Sequence, residues 1–196
     1  FEYAEKYISS ADLAIGVFEG PTAGEEAGYS SSNFDDGKTL WLNFPDSFAN
    51  AVQNAGFDLV TTATNHLLDR DVGGALRTLD ILDGIGLEHI GSYRTAEEKQ
   101  NCRIKLVESD GLKIAVLAYT YGSNGYDSGE LANGYLSYIT SIISGTSGEL
   151  FEKLRKNVEQ DFADARALDP DLIVVLPHIG TQFSNSPDEE QNVWFR

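Results

Sequence analysis

The chain of 196 residues contains one cysteine, Cys102, and no methionine. A single cysteine cannot form an internal disulfide, so the chain is not a small secreted scaffold held together by disulfides. No apolar stretch approaches the roughly 20 residues that a membrane-spanning helix requires, and no signal peptide is visible. The length is sufficient for one domain with its own hydrophobic core.

Basic residues are scarce as well. The 14 Lys and Arg residues face 31 Asp and Glu residues, and the net charge is −17. So acidic a surface argues against nucleic acids and anionic membranes as partners, because both repel it. It favours solubility and the binding of cations, although most of the carboxylates are typical of a solvated surface.

Short apolar runs alternate with helical periodicities, and this alternation predicts an α/β protein whose mixed sheet carries helices on its outer faces. The predicted elements are strands at 11–20, 57–64, 87–91 and 171–180, a hairpin at 102–122 that turns at "SDG", and helices beginning at Asp46, at 71 and at 149. The segment 21–38 is rich in Gly, Ser and Asp, which is typical of a long loop.

Polar side chains follow three of the predicted strands. Glu19 follows "LAIGVF", Asn65 and His66 follow "LVTTAT" with Asp69 shortly after, and His178 ends "LIVVLPH". Ligands in α/β sheets gather at the carboxyl ends of strands. Carboxylate, carboxamide and imidazole groups together form the oxygen and nitrogen ligand set of a divalent metal ion.

Each of these residues also has a structural interpretation. Glu19 before Gly-Pro fits a loop carboxylate, and Asn65 fits a turn in which its side chain bonds the local backbone. His66 fits a histidine with satisfied hydrogen bonds near the surface. Asp69 or Asp71 fits the cap of the following helix, and for Asp71 we favour that interpretation.

The pair Tyr119 and Tyr121 lies on one face of a predicted strand. Two interpretations are open, namely core residues with polar tips and residues that line a ligand groove. No Ser-His-Asp signature, phosphate-binding loop or dinucleotide fingerprint is present.

Four motifs in this order resemble the bacterial capsule synthesis CapA/PgsA family, which is associated with poly-γ-glutamate production. They read "ADLAIGVFEGP", "GFDLVTTATNHLLDRDVGGALRTLDILDGIGLEHIGS", "KIAVLAYTYGSNG" and "PDLIVVLPHIGTQFSNSPDEEQ". The resemblance covers about residues 11–191. It implies the four-layer αββα sandwich of the calcineurin-like metallophosphatases, as one domain over residues 1–196 that is incomplete at both ends.

The resemblance also implies roles for individual residues. Glu19, Asn65 and His178 would be ligands of a divalent metal ion, with Mn, Fe or Zn as the plausible metals. His66 would be catalytic and face the scissile phosphate, and Asp69 would act with it.

Several positions depart from the pattern of the family. Val17 stands where the family often has Asn, Thr64 replaces the first Asn of a pair, and Ile179 and Gln182 replace a Trp and a Glu. Gln191 matches a family position with a supporting role. The early "GD" strand and the late "GxHPH" motif of the family, which hold further metal ligands, are absent from the chain.

Two functions from different classes remain open. The first is a metal-dependent hydrolase of the phosphoesterase type that serves capsule or poly-γ-glutamate synthesis. The second is a non-catalytic accessory subunit of a membrane-bound capsule synthase, which holds polymer or partner subunits in a groove lined by Tyr119, Tyr121, Tyr126 and the segment 21–38.

The expected partners are a phosphoester or an anionic polymer, and other capsule synthase subunits. An anionic polymer would need a metal ion or a basic patch, for which Arg70, Arg77 and Arg94 are the candidates. We expect no nucleic acid partner and no membrane contact by this domain itself. The expected location is the bacterial cell surface, with an anchor in a segment outside this chain.

Overall fold

The computed structural model describes residues 1–30, 40–124 and 135–195. The chain divides into two compact units, Phe1–Ile90 and Gly91–Arg196. The fold is a mixed α/β structure with one three-stranded sheet in each unit, which confirms the predicted α/β class and is consistent with a metallophosphatase-like fold. The interpretation of residues 1–196 as a single domain stays a prediction.

The first unit contains a parallel sheet with the strand order β1-β2-β3. Its elements are α1 (Glu5–Ile8), β1 (Ile15–Val17), a 3-10 turn (Glu25–Ala27), α2 (Asp46–Asn54), β2 (Leu59–Thr61), α3 (Asp71–Ile85) and β3 (Glu88–Ile90). The central strand β2 is fully buried, since it has a neighbour on both sides. The core is formed by Phe18, Ala49, Val52, Val60, Leu82 and Leu87.

The two longer helices of this unit begin at the predicted residues, Asp46 and Asp71, but neither carboxylate occupies an N-cap position. Pro45 occupies the N-cap position of α2, and no side chain caps the helix. The reason is that both carboxylate oxygens of Asp46 accept from the guanidinium of Arg77, at 2.7 and 2.8 Å. Asp71 likewise is not the N-cap of α3, because that position belongs to Arg70.

The second unit combines an antiparallel and a parallel strand pair in the order β4-β5-β6. Its elements are α4 (Ala96–Cys102), β4 (Lys105–Ser109), β5 (Leu112–Thr120), a 3-10 turn (Tyr135–Tyr138), α5 (Gly148–Ala167), β6 (Leu172–His178) and α6 (Glu189–Trp194). The predicted hairpin is confirmed. Asp110 and Gly111 have φ angles of +48° and +79°, the left-handed pair that a two-residue hairpin turn requires.

The strand β6 is apolar in sequence but only partly buried. Its four central residues are only partly buried, and Leu172 is 49% exposed. Its only described strand neighbour is β5, so it lies at the edge of the described sheet. An apolar run therefore identified the strand correctly but not its position in the sheet.

The long helix α5 covers the predicted periodic segment and buries Phe151, Leu154, Asp161 and Ala165. Leu168 follows the last residue of the helix and is 38% exposed. Among the residues that the structure describes, no helix is long and apolar enough to cross a membrane.

Candidate active site

A buried loop follows the central strand β2 and carries the Asn-His pair. Asn65 and His66 are only 4% and 8% exposed. The next two residues, Leu67 and Leu68, are buried apolar side chains, so the loop is anchored in the core on the far side of the pair. The sequence therefore places two polar side chains in a loop whose burial leaves them little freedom to move.

His66 forms a close pair with Asp69, three residues further along this loop. The Nδ1 atom of His66 lies 2.6 Å from Oδ2 of Asp69. A carboxylate only accepts hydrogen bonds, so Nδ1 donates. The same Oδ2 accepts the backbone amide of Leu42 at 2.6 Å. Asp69 thus orients the imidazole ring, and it is not the N-cap of α3.

The electrostatics of the pair favour the protonated imidazole. The hydrogen bond to Asp69 raises the pKa of His66 above its ordinary value, and the negative charges of Asp69 and Glu19 act in the same direction. Burial opposes them, because it disfavours the charged form. His66 therefore remains cationic to a higher pH than a free histidine does.

Glu19 lies at the same edge of the sheet as the Asn-His pair. It comes two residues after β1, which pairs in parallel with β2 through Val17 and Thr61. The carboxyl ends of the two strands therefore meet, as the sequence predicted. Glu19 is exposed, in contrast to Asn65 and His66, so its carboxylate faces solvent at the margin of the buried pair.

His178 is the last residue of β6, in the second unit. Its ring stacks against Tyr121, with the ring centroids 6.2 Å apart and an angle of 11° between the planes. Its carbonyl oxygen accepts the backbone amide of Tyr121 at 3.0 Å. The side chain of Gln191 donates to the carbonyl oxygen of Ile179 at 3.2 Å, so it supports the chain directly beyond His178.

The predicted metal ligands belong to two units. Glu19 and Asn65 are in the first unit and His178 is in the second. Among the described residues, no group of three or more His, Cys, Asp or Glu side chains is arranged to hold a metal ion. The carboxylate, carboxamide and imidazole groups have the donor chemistry that a divalent ion needs, and this ligand set stays a prediction. Asp69 Oδ1 is a buried oxygen without a hydrogen-bond partner beside the proposed site.

The three arginines considered for anion binding are engaged in internal contacts. Arg70 donates to the carbonyl oxygens of Gly28, Trp41 and Asp69. Arg77 pairs with Asp46, and Arg94 pairs with Glu98. Their side chains therefore stabilise the local structure and do not form an open basic patch.

The structure describes only two of the three tyrosines of the proposed groove. Tyr119 is a core residue, 3% exposed, and its hydroxyl group donates to Asp161 at 3.0 Å. Tyr121 lies beyond β5 and stacks on His178. Tyr126 and the segment 31–38 lie outside the described residues. The core interpretation of Tyr119 is therefore confirmed.

A polar network in the second unit was missed at the sequence level. Arg103 pairs with both Asp161 and Asp164 of α5, and the buried Asp161 also accepts from Tyr119. The signal was present, because Asp161 falls three residues after Val158 and four before Ala165, at helical spacing on the apolar side of α5. An acid at such a position indicates a buried partner for its charge.

These features define an α/β protein whose candidate site is a buried imidazole–carboxylate pair beyond the end of a parallel strand. The chain belongs to the bacterial capsule synthesis protein family, since the family model "Bacterial capsule synthesis protein PGA_cap" matches residues 1–196.

Two curated relatives agree with this membership. "Capsule biosynthesis protein CapA" of Bacillus anthracis is 24% identical over 192 residues, which are 97% of this chain and 43% of the relative. "PGA biosynthesis protein CapA" of Bacillus subtilis (strain 168) is 22% identical over 193 residues, 97% of this chain and 45% of the relative. The chain thus spans less than half the length of either relative.

Proposed function

We propose that this domain serves capsule synthesis as a metal-dependent hydrolase of the phosphoesterase type. The observation that carries the proposal is the buried pair of His66 and Asp69, joined at 2.6 Å beyond the central strand of a parallel sheet. The family membership supports the capsule role. The pair supports the chemistry, because a buried, oriented imidazole of raised pKa suits proton transfer and charge stabilisation.

In this mechanism Asp69 orients His66, and His66 acts on the phosphoester. Asp69 holds His66 through Nδ1 and thereby directs the other ring nitrogen, Nε2, away from the carboxylate. A protonated His66 offers a hydrogen bond to an oxygen that gains negative charge as a phosphoester bond breaks. As the oxygen of a water molecule bonds to phosphorus and the bond to the leaving oxygen breaks, His66 can also give its proton to the leaving oxygen. Asp69 stabilises the imidazolium ion until the transfer.

The proposed metal ligands are Glu19 and Asn65, to which the family resemblance adds His178. A divalent ion such as Mn, Fe or Zn supplies Lewis-acid polarisation of a phosphoryl oxygen. The charge of Glu19 also raises the pKa of His66, so a cation that neutralises Glu19 lowers the pKa of the imidazole. Metal binding and the protonation of His66 are therefore coupled.

The proposed substrate is a phosphoester or an anionic polymer of the capsule. One relative is named a "PGA biosynthesis protein", and poly-γ-glutamate is the polymer that we propose for this chain as well. The proposed location is the bacterial cell surface, with the anchor and other synthase subunits supplied from outside these residues.

The test compares metal content and turnover of phosphoester substrates for the protein purified without chelator. Wild type is expected to hold metal and to turn over substrate, and His66→Ala is expected to lose at least about 100-fold in turnover. His178→Ala is expected to lose metal. His89→Ala is the matched control, since His89 pairs with Asp83 at 3.0 Å and belongs to no proposed site, and its folded form is expected to hold metal and turn over substrate like wild type.

Two outcomes would contradict the proposal. Retained turnover in a folded His66→Ala variant would remove His66 from the chemistry. Neither metal nor turnover in folded wild type would favour the non-catalytic accessory subunit, and binding of polymer or synthase subunits would then be measured instead.

A further inference from the structure

The second unit contains a cavity of about 500 Å³, within the size range of small-molecule sites. It lies among α4, α5, the end of β5 and the segment 137–142, and none of Glu19, Asn65, His66 and His178 lines it. Its wall combines the apolar side chains of Leu154 and Val158 with charged groups on the two helices. A cavity of this composition suits a ligand with one polar group and an apolar body.

The carboxylates of this cavity are already occupied. Asp161 accepts from Nε of Arg103 at 2.7 Å and from the hydroxyl group of Tyr119 at 3.0 Å. Asp164 accepts from Gln160 at 2.7 Å and also pairs with Arg103. The acceptors in the wall are therefore used within the protein, and a ligand would find few of them to bind.

The donors of the cavity are not all used. Lys99 Nζ donates to the carbonyl oxygens of Ser137 and Thr140, at 2.9 and 2.6 Å. An ammonium group has three N–H donors, and among the described residues no acceptor takes the third and no carboxylate forms an ion pair with Nζ. Arg103 donates through Nε to Asp161 and through its terminal nitrogens to Gln100 and Asp164. Some of the five N–H donors of its guanidinium group are therefore also unused by the described residues.

The charges around Lys99 also favour the binding of an anion. Burial lowers the pKa of the Lys99 ammonium to about 8, because the negative charge of Asp161 offsets the burial and the repulsion from Arg103 only in part. A cation in such a place is stabilised by any anion that enters the cavity.

We propose that this cavity binds a small molecule through one oxyanion, a carboxylate or a phosphate group, which accepts from Lys99 Nζ with Arg103 beside it. The body of the ligand rests against Leu154 and Val158. The site is separate from the proposed hydrolase site in the residues that form it, and it does not depend on the proposed metal. Its occupant is a small acceptor-rich anion, since the unused N–H donors of Lys99 and Arg103 need acceptors that the carboxylates of the wall do not supply.

The experiment titrates the isotope-labelled protein with glutarate, butyrate and inorganic phosphate at constant ionic strength. Amide signals of the cavity residues Thr140, Ser141 and Val158 are followed by NMR. We expect saturable shifts with at least one probe, and a loss of affinity of about tenfold or more in Lys99→Met, which keeps the aliphatic stem without the charge. Lys156→Met, an exposed lysine on α5, is the matched control and is expected to bind like wild type.

The probes distinguish the two sources of the oxyanion. Saturation by the carboxylates alone identifies a carboxylate ligand, and saturation by phosphate alone identifies a phosphorylated one. No saturable shift with any probe, or equal affinity in folded Lys99→Met, overturns the proposal.

A second measurement on wild type covers the case in which Lys99→Met does not fold. The rate at which acetic anhydride acetylates Lys99 is measured by mass spectrometry with and without the saturating probe. Protection of Lys99, with Lys156 acetylated at an unchanged rate, supports the site. Equal rates at Lys99 with and without the probe contradict it.

Discussion

Oδ2 of Asp69 accepts two hydrogen bonds of 2.6 Å, one from Nδ1 of His66 and one from the backbone amide of Leu42. The other carboxylate oxygen of Asp69 is buried without a hydrogen-bond partner. The two donors to Oδ2 therefore supply the hydrogen bonds of this buried carboxylate. The imidazole of His66 in turn depends on the carboxylate for its orientation and for its raised pKa.

Asp69→Asn is expected to lower the pKa of His66. In wild type, Asp69 raises that pKa through its hydrogen bond and its charge, whereas burial alone lowers it. NMR titration of the His66 ring should show a midpoint above the ordinary value of about 6.5 in wild type and a lower midpoint in the variant. Asp83→Asn is the control, because Asp83 pairs with His89, and it should leave the His66 midpoint unchanged. An identical midpoint in Asp69→Asn would show that the pair does not set the charge of His66.

The stabilising effect of the pair is expected to decrease as the pH rises. The pKa of His66 is higher in the folded state than in the unfolded state, so its contribution is complete below the unfolded value of about 6.5. The contribution is lost as the pH rises through the folded pKa. Chemical denaturation of wild type and His66→Gln between pH 5.5 and 9 should show a difference in unfolding free energy that shrinks with pH. A difference that grows with pH would contradict this sign.

Two glycines near the end of α3 are expected to respond oppositely to alanine. Gly86 has a φ of +75° at the C-cap, where Gly86→Ala should cost about 1–2 kcal/mol of unfolding free energy. Gly84 lies inside the helix, and a Cβ added there meets nothing within 4 Å. Gly84→Ala should therefore stabilise by about 0.5–1 kcal/mol. Urea denaturation measures the unfolding free energy of both variants. A change of the same sign in Gly86→Ala and Gly84→Ala would refute the prediction.

Tyr119→Phe is expected to destabilise the protein by about 1–3 kcal/mol. The change removes the hydroxyl donor to the buried Asp161 and leaves a carboxylate oxygen without its partner. Tyr3→Phe is the control, since Tyr3 is 88% exposed, and its effect should stay within about 0.5 kcal/mol. The stability of both variants is measured by chemical denaturation and compared with that of wild type. Equal stability of Tyr119→Phe and wild type would mean that another group replaces the lost donor.

Local patterns predicted the elements that depend on a few neighbouring residues. The Asp110–Gly111 hairpin turn was expected, because left-handed backbone geometry selects such residues. The placement of Glu19 beside the Asn-His pair was also expected, since parallel strands bring their carboxyl ends to one edge of the sheet.

Contacts between residues far apart in sequence were not predicted. The salt bridge of Asp46 with Arg77 spans 31 positions and replaces a helix cap, and that of Arg103 with Asp161 spans 58. The partial burial of β6 depends on which strand lies beside it. The helical spacing of Asp161 indicates that its charge has a buried partner, but no pattern in the sequence identifies Arg103 as that partner or Arg77 as the partner of Asp46.

The order of residues alone was enough to predict the class of fold, the strand ends that carry polar side chains, and the family resemblance. Alternating apolar periods and strand-end residues are local properties, and the order of four motifs is a property of the chain. Only the tertiary structure decided that Asp69 orients His66, that Tyr119 belongs to the core, and that Lys99 and Arg103 line a cavity. These outcomes depend on which donor meets which acceptor after folding, because a buried polar group is stable only where its partner is brought within hydrogen-bond distance.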